Sequence, residues 1–216
     1  MMNVYWSALG VVSLTLLGAC SQPSSSSEAD APAHSARLAM CGDGLAEGCV
    51  EAVSDTTGLI YSSTDGGYEF RLLALEDGAE LQRFGEEHGN AVSGPSLEDL
   101  DQDGDLELII PDFTGNVNTV YRIWQQVSEE RFEPAGEVSG FDLTPDVQTG
   151  LIGISSRGSA VQYSYTTHVL TEDGLVLVYQ LDADYADAAC VLTQGPAFEA
   201  SSHDADLLLN GCEAEL

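Results

Sequence analysis

Lysine is absent from this chain of 216 residues, and its basic side chains are six arginines set against 36 Asp and Glu. A formal charge of −30 excludes partners that need a positive footprint, so neither nucleic acid nor an anionic lipid surface is expected to bind. A diffuse negative surface does suit a salty medium, where the Debye length falls toward about 3 Å near 1 M salt. Catalytic signatures are missing too. The chain has no Gly-x-Ser-x-Gly elbow, no His-Glu-x-x-His helix and no phosphate-cradling glycine loop. A pair of carboxylates is the minimum for glycosidase chemistry, but acids this frequent single out no pair. His34 lies in a Ser-rich stretch, His88 and His203 lie in polar turns, and His168 sits on the face of a strand opposite Tyr163 and Tyr165. A protein that is not an enzyme is expected, with a periplasmic hydrolase as the catalytic alternative. The absence of any Cys-x-x-Cys spacing argues against a structural zinc site.

Long apolar runs are lacking except at the N-terminus. Residues 4–19 are too short for a membrane span of about 20 residues but have the size of a signal-peptide core. They end in Leu17-Gly18-Ala19-Cys20, which resembles the lipobox of bacterial lipoproteins. That resemblance implies removal of residues 1–19 and acylation of Cys20, although no Lys or Arg precedes the apolar core. Residues 20–36 are Ser-rich and read as a lipid-anchored tether, long enough to span roughly 20–24 Å. Ser21 after the acylated cysteine favours the outer membrane by analogy with enteric bacteria, with the protein facing the periplasm and touching the membrane only through its lipid. Residues 37–216 then make one domain. Nothing in the composition sets an oligomeric state.

The five cysteines fit an exported protein once Cys20 is set aside, because four remain to pair. Cys41 and Cys49 bracket a Gly-rich loop, and Cys190 and Cys212 bracket the C-terminal tail. Cys41 with Cys49 and Cys190 with Cys212 is the simplest of three connectivities.

Within the domain, short alternating segments are punctuated by Gly, Asp and Asn. Residues 58–62, 68–75, 79–84, 106–111, 117–127 and 175–181 read as strands, with Asp77-Gly78 and Asp173-Gly174 as hairpin turns. Val161, Tyr163, Tyr165, Thr167 and Val169 alternate onto one face of a further strand. The fold class is therefore all-β and mostly antiparallel, a small β-propeller-like domain or a sandwich.

Residues 99–107 read Asp-Leu-Asp-Gln-Asp-Gly-Asp-Leu-Glu. Calcium takes six to eight hard oxygens at about 2.3–2.6 Å, and acids at alternate positions bring Asp99, Asp101 and Asp103 around one point. Gly104 permits the turn, the carbonyl of Asp105 supplies a further oxygen, and Glu107 closes the site directly or through water. An EF-hand needs a Glu at the twelfth position, where this chain has Ile110, so the loop is expected to open a strand instead.

On these residues, 99–110 are similar to the FG-GAP and VCBS repeats of calcium-binding β-propellers. Residues 95–185, with the strand Val120-Tyr121-Arg122-Ile123-Trp124, the segment Arg131-Phe132-Glu133 and the hairpin at Gly174, resemble the propeller lipoproteins that serve as immunity proteins against antibacterial type IV secretion effectors. The resemblance implies bound Ca²⁺ and a protein partner, a secreted effector or cell-wall hydrolase of the lysozyme type, that the chain inhibits. Where that family carries a Tyr-Gly-Gly-Pro-Ser loop, residues 112–119 are shorter and have no tyrosine. A structural or adhesive envelope lipoprotein without an inhibitory target is the alternative.

Overall fold

The structure, a computed structural model, describes residues 38–91 and 93–216. The signal peptide, Cys20 and the tether to residue 36 lie outside the described residues. Three open antiparallel sheets account for most of what is described, so the all-β expectation holds. Among the described residues they close into neither a barrel nor a propeller. No described helix is long and apolar enough to cross a membrane.

The first sheet runs β1 (Glu51–Ala52), β2 (Thr57–Thr64), β3 (Gly67–Ala74), β4 (Glu80–Glu87). The second runs β5 (Ser96–Glu98), β6 (Glu107–Thr114), β7 (Thr119–Ser128), β8 (Arg131–Gly140). The third comprises β9 (Asp142–Asp146), β10 (Leu151–Arg157), β11 (Gln162–Thr171), β12 (Gly174–Asp184) and β13 (Ala189–Gln194), and α1 (Ala205–Glu213) ends the chain. Within each sheet every strand pairs with its sequence neighbour, the outcome that hairpin connections favour. At the β3–β4 turn, Gly78 takes φ +75°, and the Asp77 carboxylate accepts the Ala79 amide at 2.9 Å.

The second sheet is the middle layer. Its strand β6 begins with five consecutive buried residues because both of its faces are covered. Leu108 and Ile110 point into a core shared with Leu59, Phe70, Leu72, Trp124 and Phe132. Ile109 points the other way, into a core with Leu100, Ile123, Val138, Ile152 and Ile154. The period of two along a strand thus serves two cores from one segment. Arg122 crosses the first junction to Glu86 at 2.6 Å while Asp112 on neighbouring β6 holds the same guanidinium at 2.8 Å, and Trp124 Nε1 donates to Glu86 at 2.8 Å. At the second junction, Gly174 passes so close to the Ala135 carbonyl that no Cβ fits.

Two disulfides are present, Cys41–Cys49 and Cys190–Cys212. The second ties α1 to β13. That helix has no buried residue, and the Asp204 carboxylate caps it by accepting the Leu207 amide at 3.0 Å. Its short period-3.6 pattern is faint, and the sequence reading does not anticipate it.

Candidate metal centre

The acidic loop links β5 to β6 and is built by two residues in left-handed conformations, Gln102 at φ +65° and Gly104 at φ +100°. Side chains and backbone close it from within. Asp101 Oδ1 accepts the Asp103 amide at 3.3 Å, Asp103 Oδ1 accepts the Asp105 amide at 2.8 Å, and Gln102 Nε2 donates to the Asp99 carbonyl at 2.7 Å. The apolar side of the loop is fixed by Leu100, which is fully buried.

Of the five acids singled out in the sequence, the fold brings three together. One carboxylate oxygen from each of Asp99, Asp101 and Glu107 lies within 4.8 Å of the others. Two oxygens on a common calcium are separated by no more than about twice the 2.3–2.6 Å bond length, so the three fit one ion. Asp103 and Asp105 are exposed, and neither belongs to that group. The carboxylate of Asp103 instead helps hold the turn.

Glu107 is the unusual member. It is 2% exposed at the first position of β6, and one of its oxygens accepts the Leu100 amide at 2.8 Å. Burial, with added repulsion from Asp101, Asp103 and Asp99, pushes its carboxyl up to about 8, against the pull of the Leu100 hydrogen bond. Asp101 is raised as well, by desolvation first and by Asp103 next. Asp99 Oδ1 is buried and has no hydrogen-bond partner. A buried carboxylate oxygen left unpaired is costly, and an oxygen-loving cation supplies the missing partner. An all-oxygen, all-carboxylate donor set matches a hard ion such as calcium better than zinc or copper.

Sequence reasoning missed the support around the loop. Gly150, at φ +68° in the β9–β10 turn, packs on the Asp101 carbonyl so tightly that an added Cβ would stand 2.5 Å from it. Gln126 on β7 accepts the Leu106 amide at 3.4 Å. Neither contact has a local sequence signal, because each comes from a strand or turn distant in the chain.

No protein-family model matches the chain, and no curated protein matches it. Among solved structures, one described as a Xanthomonas type IV secretion system related protein is similar at 12% identity and a TM-score of 0.42, covering 68% of this chain and 79% of that chain.

Proposed function

We propose that residues 99–107 form a structural calcium site and that the chain is a calcium-held, envelope-anchored binding module for another protein. In its specific form the module inhibits a lysozyme-like peptidoglycan hydrolase. The observation that carries the calcium reading is the convergence of Asp99, Asp101 and the buried Glu107, with an unpartnered Asp99 oxygen aimed at no protein donor. These three side chains hold the ion, and the Asp105 carbonyl is the proposed backbone ligand. Without a cation the carboxylates repel one another across a poorly solvated space. With one, Glu107 ionises and the start of β6 is locked to the loop.

Three further observations support export and binding. Two disulfides fit an oxidising compartment, and the lipobox-like Leu17-Gly18-Ala19-Cys20 fits anchoring at Cys20. The charge of −30 accelerates encounter with a cationic protein, as cell-wall hydrolases of the lysozyme type commonly are. The three meanders have the strand content of propeller blades, and we read them as an open, propeller-like stack.

The direct test adds the purified protein, with calcium, to peptidoglycan-lysis assays using lysozyme and a hydrolase encoded beside it. Slower lysis by either enzyme is the predicted result. Unchanged lysis by both rejects inhibition and leaves the structural or adhesive envelope reading.

A further inference from the structure

At the end of β7 away from the acidic loop, a paired hydrogen bond also ties the second sheet to the third. Asn118 Nδ2 donates to the Arg157 carbonyl at 3.1 Å, and the Arg157 amide donates to Asn118 Oδ1 at 3.0 Å. Beside this pair opens a cleft of about 580 Å³. Register sets its wall: Ser164, Asp182 and Val191 stand abreast across β11, β12 and β13, and Gln162, Asp184 and Ala189 form the next row on the same face.

The carboxylates of this wall are held in place but have no counter-charge. Gln180 Nε2 donates to both oxygens of Asp182 at 2.9 and 3.0 Å, and Gln162 Nε2 donates to Asp184 at 2.9 Å. The other Asp184 oxygen accepts the amides of Ala186 and Asp187 at 2.9 and 3.3 Å. Neither these two acids nor the neighbouring Asp187 makes a salt bridge among the described residues. Arg157, the one cation in the lining, turns its guanidinium to the Ser159 and Ala160 carbonyls and lies 5.3 Å from the Tyr163 ring centroid.

One large exposed apolar side chain lines the acids' cleft and others edge the cleft beside it. Val191 is 59% exposed, and an adjoining cleft that shares Asn118, Arg157 and Gly158 with the first is edged by Phe113, 50% exposed, and Val117. Exposed apolar anchors beside fixed, uncompensated carboxylates make a surface complementary to a long cationic side chain, whose alkyl stem lies on the anchors while its head reaches the acids. A second copy of this chain, itself at −30, is the wrong occupant.

We propose that the cleft beside Asp182 and Asp184 is the docking groove for a lysine- or arginine-bearing segment of a partner protein. This rests on the protein-binding reading above and assigns it a face. The test is calorimetric titration of the full chain, in calcium, with a short peptide of alternating Lys and Val. Asp182→Asn with Asp184→Asn should weaken binding roughly tenfold or more. The same charge change at the exposed turn acids, Glu76→Gln with Glu130→Gln, should stay within about twofold. Val191→Arg, on a side chain already in solvent, should weaken binding without lowering the melting midpoint and serves if the double variant does not fold. Equal weakening by groove and turn variants would mean that charge acts diffusely, overturning the groove while leaving protein binding intact. No binding of the peptide by a wild-type protein that still slows lysis would overturn the groove alone. Binding of a peptidoglycan fragment instead of the peptide, lost in D182N/D184N, would overturn it in favour of a glycan.

Discussion

The first two sheets meet through stacked rings, Phe84 lying 5.2 Å from Phe70 and 4.2 Å from Trp124 between centroids, whereas the third sheet joins the second through aliphatic Ile152 and Ile154. At its outer edge the third sheet carries a disulfide and a helix with no buried residue. The difference is one of means. Burial of rings or aliphatic chains holds sheet to sheet, with a close glycine approach at the second junction, whereas at the outer edge, where strands supply Ser, Thr, Gln and Asp, a covalent bridge holds the helix. The acidic loop combines burial with such a glycine approach, since it opens the buried strand β6 and rests against the Gly150 turn of the third sheet.

The contrast can be broken most severely on the aromatic side. Phe132→Ala removes a ring that is 1% exposed and should cost about 3–5 kcal/mol in denaturant unfolding. Next comes the covalent side. Cys190→Ser with Cys212→Ser opens a bridge of sequence separation 22 and should cost about 3 kcal/mol, more than the Cys41–Cys49 bridge of separation 8. Chemical unfolding of the paired variants ranks the two, and equal losses would mean that native packing rather than chain restraint sets the effect.

Gly150→Ala tests the glycine approach at the loop. It forces a Cβ toward the Asp101 carbonyl at a left-handed φ and should cost about 1–3 kcal/mol. It should also lower calcium affinity, whereas Gly78→Ala, at a similar left-handed φ but with no close contact, should lower stability alone and by less. Titration of both variants separates them.

The smallest effect concerns His168, whose cross-strand neighbour is the core residue Ile152 and whose Nδ1 is buried without a partner. Desolvation lowers its pKa below the usual 6.5, so the unfolded chain takes up the proton first. Its contribution is present above about pH 6.5 and is lost as pH falls from there toward the folded value. A melting series between neutral and mildly acidic pH should show this decline flattened in His168→Phe.

Much of the fold was readable wherever turn chemistry and alternation agreed. Asp77-Gly78 and Asp173-Gly174 mark hairpins, and the strands around them appear within a few residues of their observed ends. Less legible were β8 through β10. Pro134 and Gly136 interrupt β8, Pro145 lies in β9, and small residues blur the period of β10, so their pairing comes from the layers on either side. At the candidate site, spacing named the converging Asp99, Asp101 and Glu107 and used Asp105 only through its carbonyl, but did not show that Asp103 stands apart. Strand geometry decides that by burying Glu107 at the start of β6 and leaving Asp103 and Asp105 in solvent. His168, placed by alternation opposite Tyr163 and Tyr165, is half-buried and pairs across the strand with the core residue Ile152.

Thermal melting of the full chain in about 1 mM calcium and in EDTA weighs the central claim most directly. If calcium stands at about 100 times its Kd, the ion adds about 2.7 kcal/mol, a rise in midpoint of roughly 5–10 °C, and Asp101→Ala abolishes the difference while Asp105→Ala largely keeps it. Identical wild-type midpoints with and without the chelator would contradict a metal at residues 99–107.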